Sequence, residues 1–304
     1  MTSPREVLPL VVEPPDAELA VVAATLGAAR WGLPEPELVR VGMNGVFVAG
    51  DVVLRVSRPT ADPSCTIALA DLLATEGVRV ARPARREVVH AEGGLTITAW
   101  ERIDHDPTRS VDYERVGAMV RAVHRIDVNR VGKLHPLPWC GSFPWWDHTR
   151  LLAEVDDLLD DSSRRAITAC IERHAGWPER ARRAGLVVCH GDVHPGNVLT
   201  DDAGPVLGDW DLLCLGPPGW DHAPLLMWHE RWGGEPGAYE AFATGYGETL
   251  RDDDVAVALA ELRLVAATSM RLRAARLDPA DAVEAERRLQ WWRGDPAAPV
   301  WRAR

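Results

Sequence analysis

Two neighbouring stretches constrain this chain most: His190-Gly191-Asp192-Val193-His194-Pro195-Gly196-Asn197-Val198-Leu199, and after it Leu207-Gly208-Asp209-Trp210-Asp211. The apolar runs 186–188, 198–199 and 205–207 have the length of buried strands, and Asp201-Asp202-Ala203-Gly204 has turn chemistry between the last two. Gly191, Pro195 and Gly196 keep the first stretch out of a helix. Asp192, Asn197 and Asp209 therefore fall on loops that flank strands. A carboxylate there can orient a hydroxyl group, and carboxylate and amide oxygens can hold Mg2+ against phosphates.

In protein kinases a catalytic Asp precedes a metal-binding Asn by five positions, and a second metal-binding Asp lies on the next hairpin. Asp192 and Asn197 keep that separation. The segment 190–221 resembles the signature of the aminoglycoside phosphotransferase family, which are kinase-like small-molecule phosphotransferases. There a His-Gly-Asp-x-x-x-x-Asn loop precedes an Asp followed by an aromatic residue, then a Gly-Pro step and another Asp; Gly216-Pro217 and Asp221 stand in the matching places.

The resemblance implies an α+β, protein-kinase-like two-lobed fold. A small N-terminal antiparallel-sheet lobe (1–100) would bind nucleotide, residues 101–104 would be a hinge, and a larger, mainly helical C-terminal lobe (105–304) would carry catalysis and acceptor binding. It also implies that Asp192 is the catalytic base and that Asn197 and Asp209 are Mg2+ ligands, with ATP or GTP as phosphate donor. Asp221 would brace the catalytic loop; read from the residues alone, it caps a helix start after Pro217-Pro218-Gly219. Asp211 stays open between approach to a metal and pairing with a nearby Arg. His190 and His194 could serve a transition metal instead, but a His-x-x-x-His pair needs a helix face that Gly191, Pro195 and Gly196 oppose. Cys189 reads as a small buried apolar residue.

Upstream, Asp16 can cap a helix over 16–29, with Gly32 beyond its end. Strands follow at 39–41, 46–48 and 52–56, the last two joined by the turn Ala49-Gly50-Asp51. By resemblance the loop Gly42-Met43-Asn44-Gly45 covers the nucleotide phosphates, with Asn44 in contact; from the residues alone, any tight turn would use such glycines. Arg55 stands where the kinase pattern has a Lys. Its planar fork can still grip phosphate oxygens, and by resemblance it neutralises phosphate charge; the alternative is an edge-strand Arg with an exposed head. The next helix, 64–75, has Thr66 where a Glu would orient that cation; Asp71 is a substitute or a solvent-facing acid. Strands at 78–83, 87–90 and 95–100 would complete the sheet, and the main chains of Glu101 and Ile103 would meet the purine edge.

Beyond Asp104 the pattern turns helical: 111–126, 147–159, 163–174, 221–232, 237–250, 252–273 and 280–292 are expected helices. The loop 134–146 is rich in Pro, Trp and Gly, and Trp139, Trp145 and Trp146 are substrate contacts or core anchors. Asp147, Glu230, Glu235 and Glu261 are acids that could meet an acceptor.

A chain of 304 residues can hold two lobes. Its formal net charge of -11 opposes nonspecific nucleic-acid binding. No apolar run has the length of a membrane span, and Met1-Thr2-Ser3-Pro4-Arg5-Glu6 lacks a signal-peptide pattern. Five cysteines without a Cys-x-x-Cys pair suit reduced thiols and a cytoplasmic location. The expected partners are thus a nucleoside triphosphate and a small-molecule hydroxyl acceptor, with no nucleic acid and no membrane. The leading reading is phosphoryl transfer to an antibiotic, for resistance or self-protection. The alternatives are a metabolite kinase acting on an amino alcohol or sugar, and a noncatalytic kinase-like nucleotide-binding module.

Overall fold

The Asp16 carboxylate accepts hydrogen bonds from the Glu18 and Leu19 N–H groups at 3.0 and 3.1 Å, and this cap starts helix α1 (Ala17–Trp31). The helix stops at Gly32, whose φ of 64° is the left-handed turn that glycine adopts most easily. The computed structural model describes residues 15–302 apart from residue 60, so the stretch 1–6 read above lies outside the described residues.

β1 (Glu37–Val41), β2 (Gly45–Ala49), β3 (Val52–Ser57), α2 (Pro63–Thr75), β4 (Pro83–His90) and β5 (Thr96–Glu101) follow. The strands form one antiparallel sheet in the order β1-β2-β3-β5-β4. Alternation sends Phe47, Ala49, Val52, Leu54 and Val56 to one face, where they pack on Ala20, Ala23, Ala24 and Ala28 of α1. Arg55, paired across strands with Val46 and Thr98, belongs to the opposite face. β3 is the middle strand, which removes the edge-strand reading of Arg55.

The rest of the chain runs α3 (Tyr113–His124), α4 (Val128–Gly132), α5 (His148–Glu154), α6 (Asp161–His174), α7 (Trp177–Ala184), β6 (Val187–Cys189), β7 (Val198–Asp201), β8 (Gly204–Leu207), β9 (Cys214–Gly216), α8 (Gly219–Leu226), α9 (Trp228–Trp232), α10 (Ala238–Tyr246), α11 (Asp254–Ala275) and α12 (Pro279–Trp292). It divides into two units. Among the described residues, the first holds 15–112 with Ile126–Leu137 and Pro195–Trp210; the second holds Tyr113–Arg125, Pro138–His194 and 211–302.

Three expectations change. Residues 78–81 form no ladder with the sheet, because Arg79 and Val80 lie against the β7–β8 hairpin instead: Leu207 N–H donates to Arg79 O at 2.9 Å, and the Arg79 guanidinium holds Gly204 O at 2.7 Å and Asp201 Oδ2 at 2.9 Å; only Arg82 O reaches the sheet, accepting from Glu101 N–H. The strand begins only at Pro83. The helix expected over 221–232 is two helices; Pro224, which can donate no backbone hydrogen bond, sits inside α8, and the helix closes two residues later. The expected helix 147–159 ends at Glu154, with a 3-10 turn over Asp156–Leu158. The short helices α4 and α7 were not legible: α4 is too brief for a periodic stripe, and α7 is mostly polar.

The core of the second unit includes Ile167 and Cys170 of α6, Leu264, Val265 and Leu272 of α11, Leu289 and Trp292 of α12, and Trp301. No helix among the described residues is long and apolar enough to cross a membrane. α3 and α10 cross at glycines: a Cβ at Gly117 would lie 2.0 Å from Phe242 O, and one at Gly245 would lie 1.7 Å from Glu114 O. Gly117→Ala must push these backbones apart, so it is expected to destabilise the protein by about 1–3 kcal/mol. Urea unfolding checks this, and an unchanged midpoint would contradict such close packing.

Candidate active site

β6 and β9 pair antiparallel, Val187 with Gly216 and Cys189 with Cys214, so the loop leaving β6 and the helix following β9 start from one small sheet. That loop is His190-Gly191-Asp192. Gly191 has φ 100°, and a Cβ on it would lie 2.0 Å from Leu212 O, so only glycine fits. The Trp220 indole N–H donates to Gly191 O at 3.1 Å, and Asp192 N–H donates to His190 Nδ1 at 3.3 Å.

The helix supplies Asp221, which is fully buried. Its Oδ1 accepts from Gly191 N–H at 2.8 Å, and its Oδ2 accepts from His190 N–H at 2.8 Å. His124 of α3 reaches the same Oδ2 with Nε2 at 3.0 Å, and its Nδ1 lies 2.9 Å from the Tyr246 hydroxyl. Asp221 thus braces the loop, as the resemblance implied. Pro218 occupies the N-cap of α8, so Asp221 is no cap. Burial works against charge on both partners. The hydrogen bond with Asp221 and then Cys189 outweigh it for His124, whose pKa rises to about 9. For Asp221, burial is likewise outweighed, first by the His124 hydrogen bond, and its carboxyl is held below the ordinary value.

Asp192 is half-buried, with Arg263 of α11 on one side and His194 on the other. Arg263 Nη1 lies 3.4 Å from Oδ1, and His194 Nε2 lies 3.3 Å from Oδ2. Burial, the largest influence, would raise this carboxyl; the hydrogen bond and charge of His194, then the charge of Arg263, hold it at about 2. Arg263 also donates to Gly191 O at 2.7 Å and lies over the Trp220 and Trp145 rings at 4.9 and 5.5 Å. Sequence reasoning missed Arg263. It sits inside a long expected helix, and no spacing marks it.

In the first unit, Asn197 and Asp209 leave the same end of the β7–β8 hairpin. Val198 pairs with Leu207, and just outside that pair Gly208 N–H donates to Asn197 O at 2.8 Å. Asp209 has φ 56°, the only positive φ at a non-glycine residue among the described residues. Such backbone costs about 1–3 kcal/mol and gathers at functional sites. An amide oxygen and a carboxylate are hard donors, which fits Mg2+. Asp211 is exposed in the 3-10 turn Trp210–Leu212.

The other expected residues of this unit stand apart in the chain. Asn44 lies in the turn between β1 and β2, where its carbonyl accepts from Gly42 N–H at 3.0 Å. Arg55 is half-buried on β3. Asp71 gives its two oxygens to Arg86 at 2.6 and 3.1 Å, which rules it out as the substitute for the helix Glu. Glu101 N–H donates to Arg82 O, and Ile103 O accepts from His105 N–H, both at 2.8 Å.

Among the tryptophans of the second unit, Trp146 is buried, with its ring 4.5 Å from that of Trp220, and Trp139 stacks on Trp177 at 5.4 Å. Both are anchored in the packing, whereas Trp145 flanks Arg263. Two of the four acids already have partners. Asp147 accepts from Arg150 N–H at 3.1 Å, and Glu261 holds Arg173 and His174 at 2.9 and 2.8 Å.

A family model described as the phosphotransferase enzyme family matches residues 44–256. Solved structures similar to the chain include the GDP complex of aminoglycoside 2'-phosphotransferase-IIIa, 18% identical with a TM-score of 0.67 over 90% of this chain and 97% of that one. Spectinomycin phosphotransferase in complex with ADP and spectinomycin is 16% identical with a TM-score of 0.60, covering 85% and 89%. A macrolide 2'-phosphotransferase from Brachybacterium faecium is 19% identical with a TM-score of 0.56, covering 90% and 98%. At these identities the likeness is one of fold. No curated protein matches the chain.

Protonated His124 gives a pH test. Its pKa is raised from 6.5 to about 9 on folding, so its charge contributes stability that is fully present below pH 6.5 and lost as pH rises through about 9. Melting temperature should therefore fall more steeply over that window in the wild type than in His124→Asn; equal slopes would show that His124 carries no such proton.

Proposed function

This chain belongs to the phosphotransferase enzyme family and is a small-molecule kinase with a kinase-like fold, and we propose that it moves the γ-phosphoryl group of ATP or GTP to a hydroxyl of an antibiotic. The observation that carries the mechanism is Asp192: a carboxylate on a braced loop, flanked by Arg263 and His194.

With a pKa of about 2, Asp192 is ionised at neutral pH and is too weak a base to strip an alcohol beforehand. It orients the hydroxyl by accepting its hydrogen bond. As the acceptor O–P bond forms and the bond to the nucleoside diphosphate breaks, the hydroxyl proton passes to Asp192. This order suits a loose transition state, in which the acceptor gains acidity late. Arg263 keeps the carboxylate pointed by holding Gly191 O and lying beside Oδ1.

Asn197 and Asp209 are the proposed Mg2+ ligands, and bound Mg2+ would offset charge on the phosphate oxygens. The Asp209 backbone, held at positive φ beside the hairpin end, fixes where its carboxylate starts. Arg55 is the proposed phosphate cation and Asn44 a contact in the phosphate-covering turn. At 101–104, the proposed hinge, the Glu101 carbonyl and the Ile103 N–H would meet the purine edge, since the Glu101 N–H and the Ile103 carbonyl are already spent within the chain. The antibiotic reading draws support from the solved structures of similar fold, whose names are those of antibiotic phosphotransferases.

The test is nucleotide-dependent phosphorylation of a panel of hydroxylated aminoglycosides, aminocyclitols and macrolides, followed by 31P NMR. At least one should yield a phosphate ester, and Asp192→Ala should lower kcat by about 10²–10⁴ while nucleotide affinity stays near wild type. Arg55→Ala should raise the nucleotide KM. Turnover unaffected by Asp192→Ala would end the proposed mechanism, and turnover on amino alcohols or sugars alone would replace the antibiotic reading.

A further inference from the structure

In the second unit, α6 and α11 bring together three side chains that the phosphotransfer chemistry does not use. Cys170 and His174 are four residues apart, so they share one face of α6, and Glu261 of α11 meets them. His174 Nε2 lies 2.8 Å and Cys170 Sγ 3.9 Å from the same atom, Glu261 Oε2. All three donor atoms lie within 4.8 Å of one another. Cys170 and His174 are buried, at 2% and 8% exposure, while the Glu261 side chain is 25% exposed and leaves an approach from solvent.

We propose that Cys170, His174 and Glu261 form a binding site for a transition-metal dication of the Zn2+ class, completed by water as fourth ligand. Thiolate, imidazole and carboxylate are the donors such an ion takes. Bond lengths of about 2.0–2.3 Å in a tetrahedron set neighbouring donors about 3–4 Å apart, so side-chain adjustments within the present cluster suffice. The charges also match. One thiolate and one carboxylate cancel a dication, which leaves a neutral group where burial penalises net charge. Arg173, with Nη1 2.9 Å from Glu261 Oε2 and its side chain 60% exposed, can remain on the carboxylate as an outer partner.

Without metal the Cys170 thiol keeps its proton, since burial, and after it the Glu261 charge, push its pKa up to about 12. On binding, the S–H bond breaks, the S–metal bond forms and the proton goes to solvent, with no change of oxidation state. A second trio, His124, Cys189 and Asp221, also has donor atoms within 4.8 Å of one another. It is unsuited, because both Asp221 oxygens already hold the backbone of His190 and Gly191. A metal between α6 and α11 would staple them beside Arg263, two residues on from Glu261. The site is independent of the phosphotransferase reading.

Titration of the metal-free, full-length protein with Co2+ tests it. The expected result is one equivalent bound, with a near-ultraviolet thiolate-to-cobalt charge-transfer band and the visible bands of a four-coordinate ion, displaced by Zn2+ and accompanied by a higher melting temperature. Cys170→Ser should abolish the charge-transfer band, and Cys189→Ser should keep it. If Cys170→Ser does not fold, His174→Gln provides the readout, with binding weakened at least tenfold. Absence of the band in the wild type, its survival in Cys170→Ser, or undiminished binding in His174→Gln would overturn the proposal.

Discussion

A buried carboxylate must be paired or it costs more than a domain can spare, and the structure turns that necessity to use at Asp221. Its two oxygens take the N–H groups of His190 and Gly191 together with protonated His124, so the charge is satisfied only when the loop has one shape. Breaking such a buried pair from one side typically costs about 3–5 kcal/mol. The loop that carries Asp192 is therefore tied to α8 and α3 of the same unit, which bury Trp220 and Ala223, and Val120 and Val123, respectively. Gly191 is what makes the arrangement possible, since no side chain fits under Leu212 O.

With the backbone fixed, the charge on Asp192 can be tuned by neighbours from other parts of the second unit. Arg263 joins the loop carbonyl to the carboxylate and is itself clamped over two indoles, so the cation is pre-organised. That arrangement favours an ionised, directional acceptor over a strong base, which is what the proposed late proton transfer requires. In the first unit the β7–β8 hairpin does comparable work: a backbone hydrogen bond between Gly208 and Asn197 sets two oxygen donors at one end, and Asp209 accepts an uncommon backbone conformation there.

Much of this was legible in the sequence, for identifiable reasons. Asp16 and Gly32 mark α1 because capping is a local hydrogen-bond requirement, and alternating apolar residues mark β2 and β3 because one face is buried on α1. The loop bearing Asp192 and the hairpin bearing Asn197 and Asp209 were legible because glycine, proline and turn residues leave few alternatives. What escaped depends on contacts between distant residues. Arg79 diverts 78–81 from the sheet through Asp201 and Gly204, Arg86 claims Asp71, and Arg263 reaches the loop from a helix some seventy positions later in the chain. The Cys170, His174 and Glu261 cluster escaped for the same reason, since only packing of α6 on α11 assembles it.

The most direct measurement of the central claim is a double-mutant cycle on kcat with Asp192→Asn and Asp221→Asn, each variant first shown folded by near-ultraviolet circular dichroism. If Asp221 acts on turnover by holding the loop that aims Asp192, the two losses are strongly non-additive, and the double variant is about as slow as Asp192→Asn alone. Losses that multiply would contradict the account, since they would mean that the buried carboxylate affects turnover by a route that does not pass through Asp192.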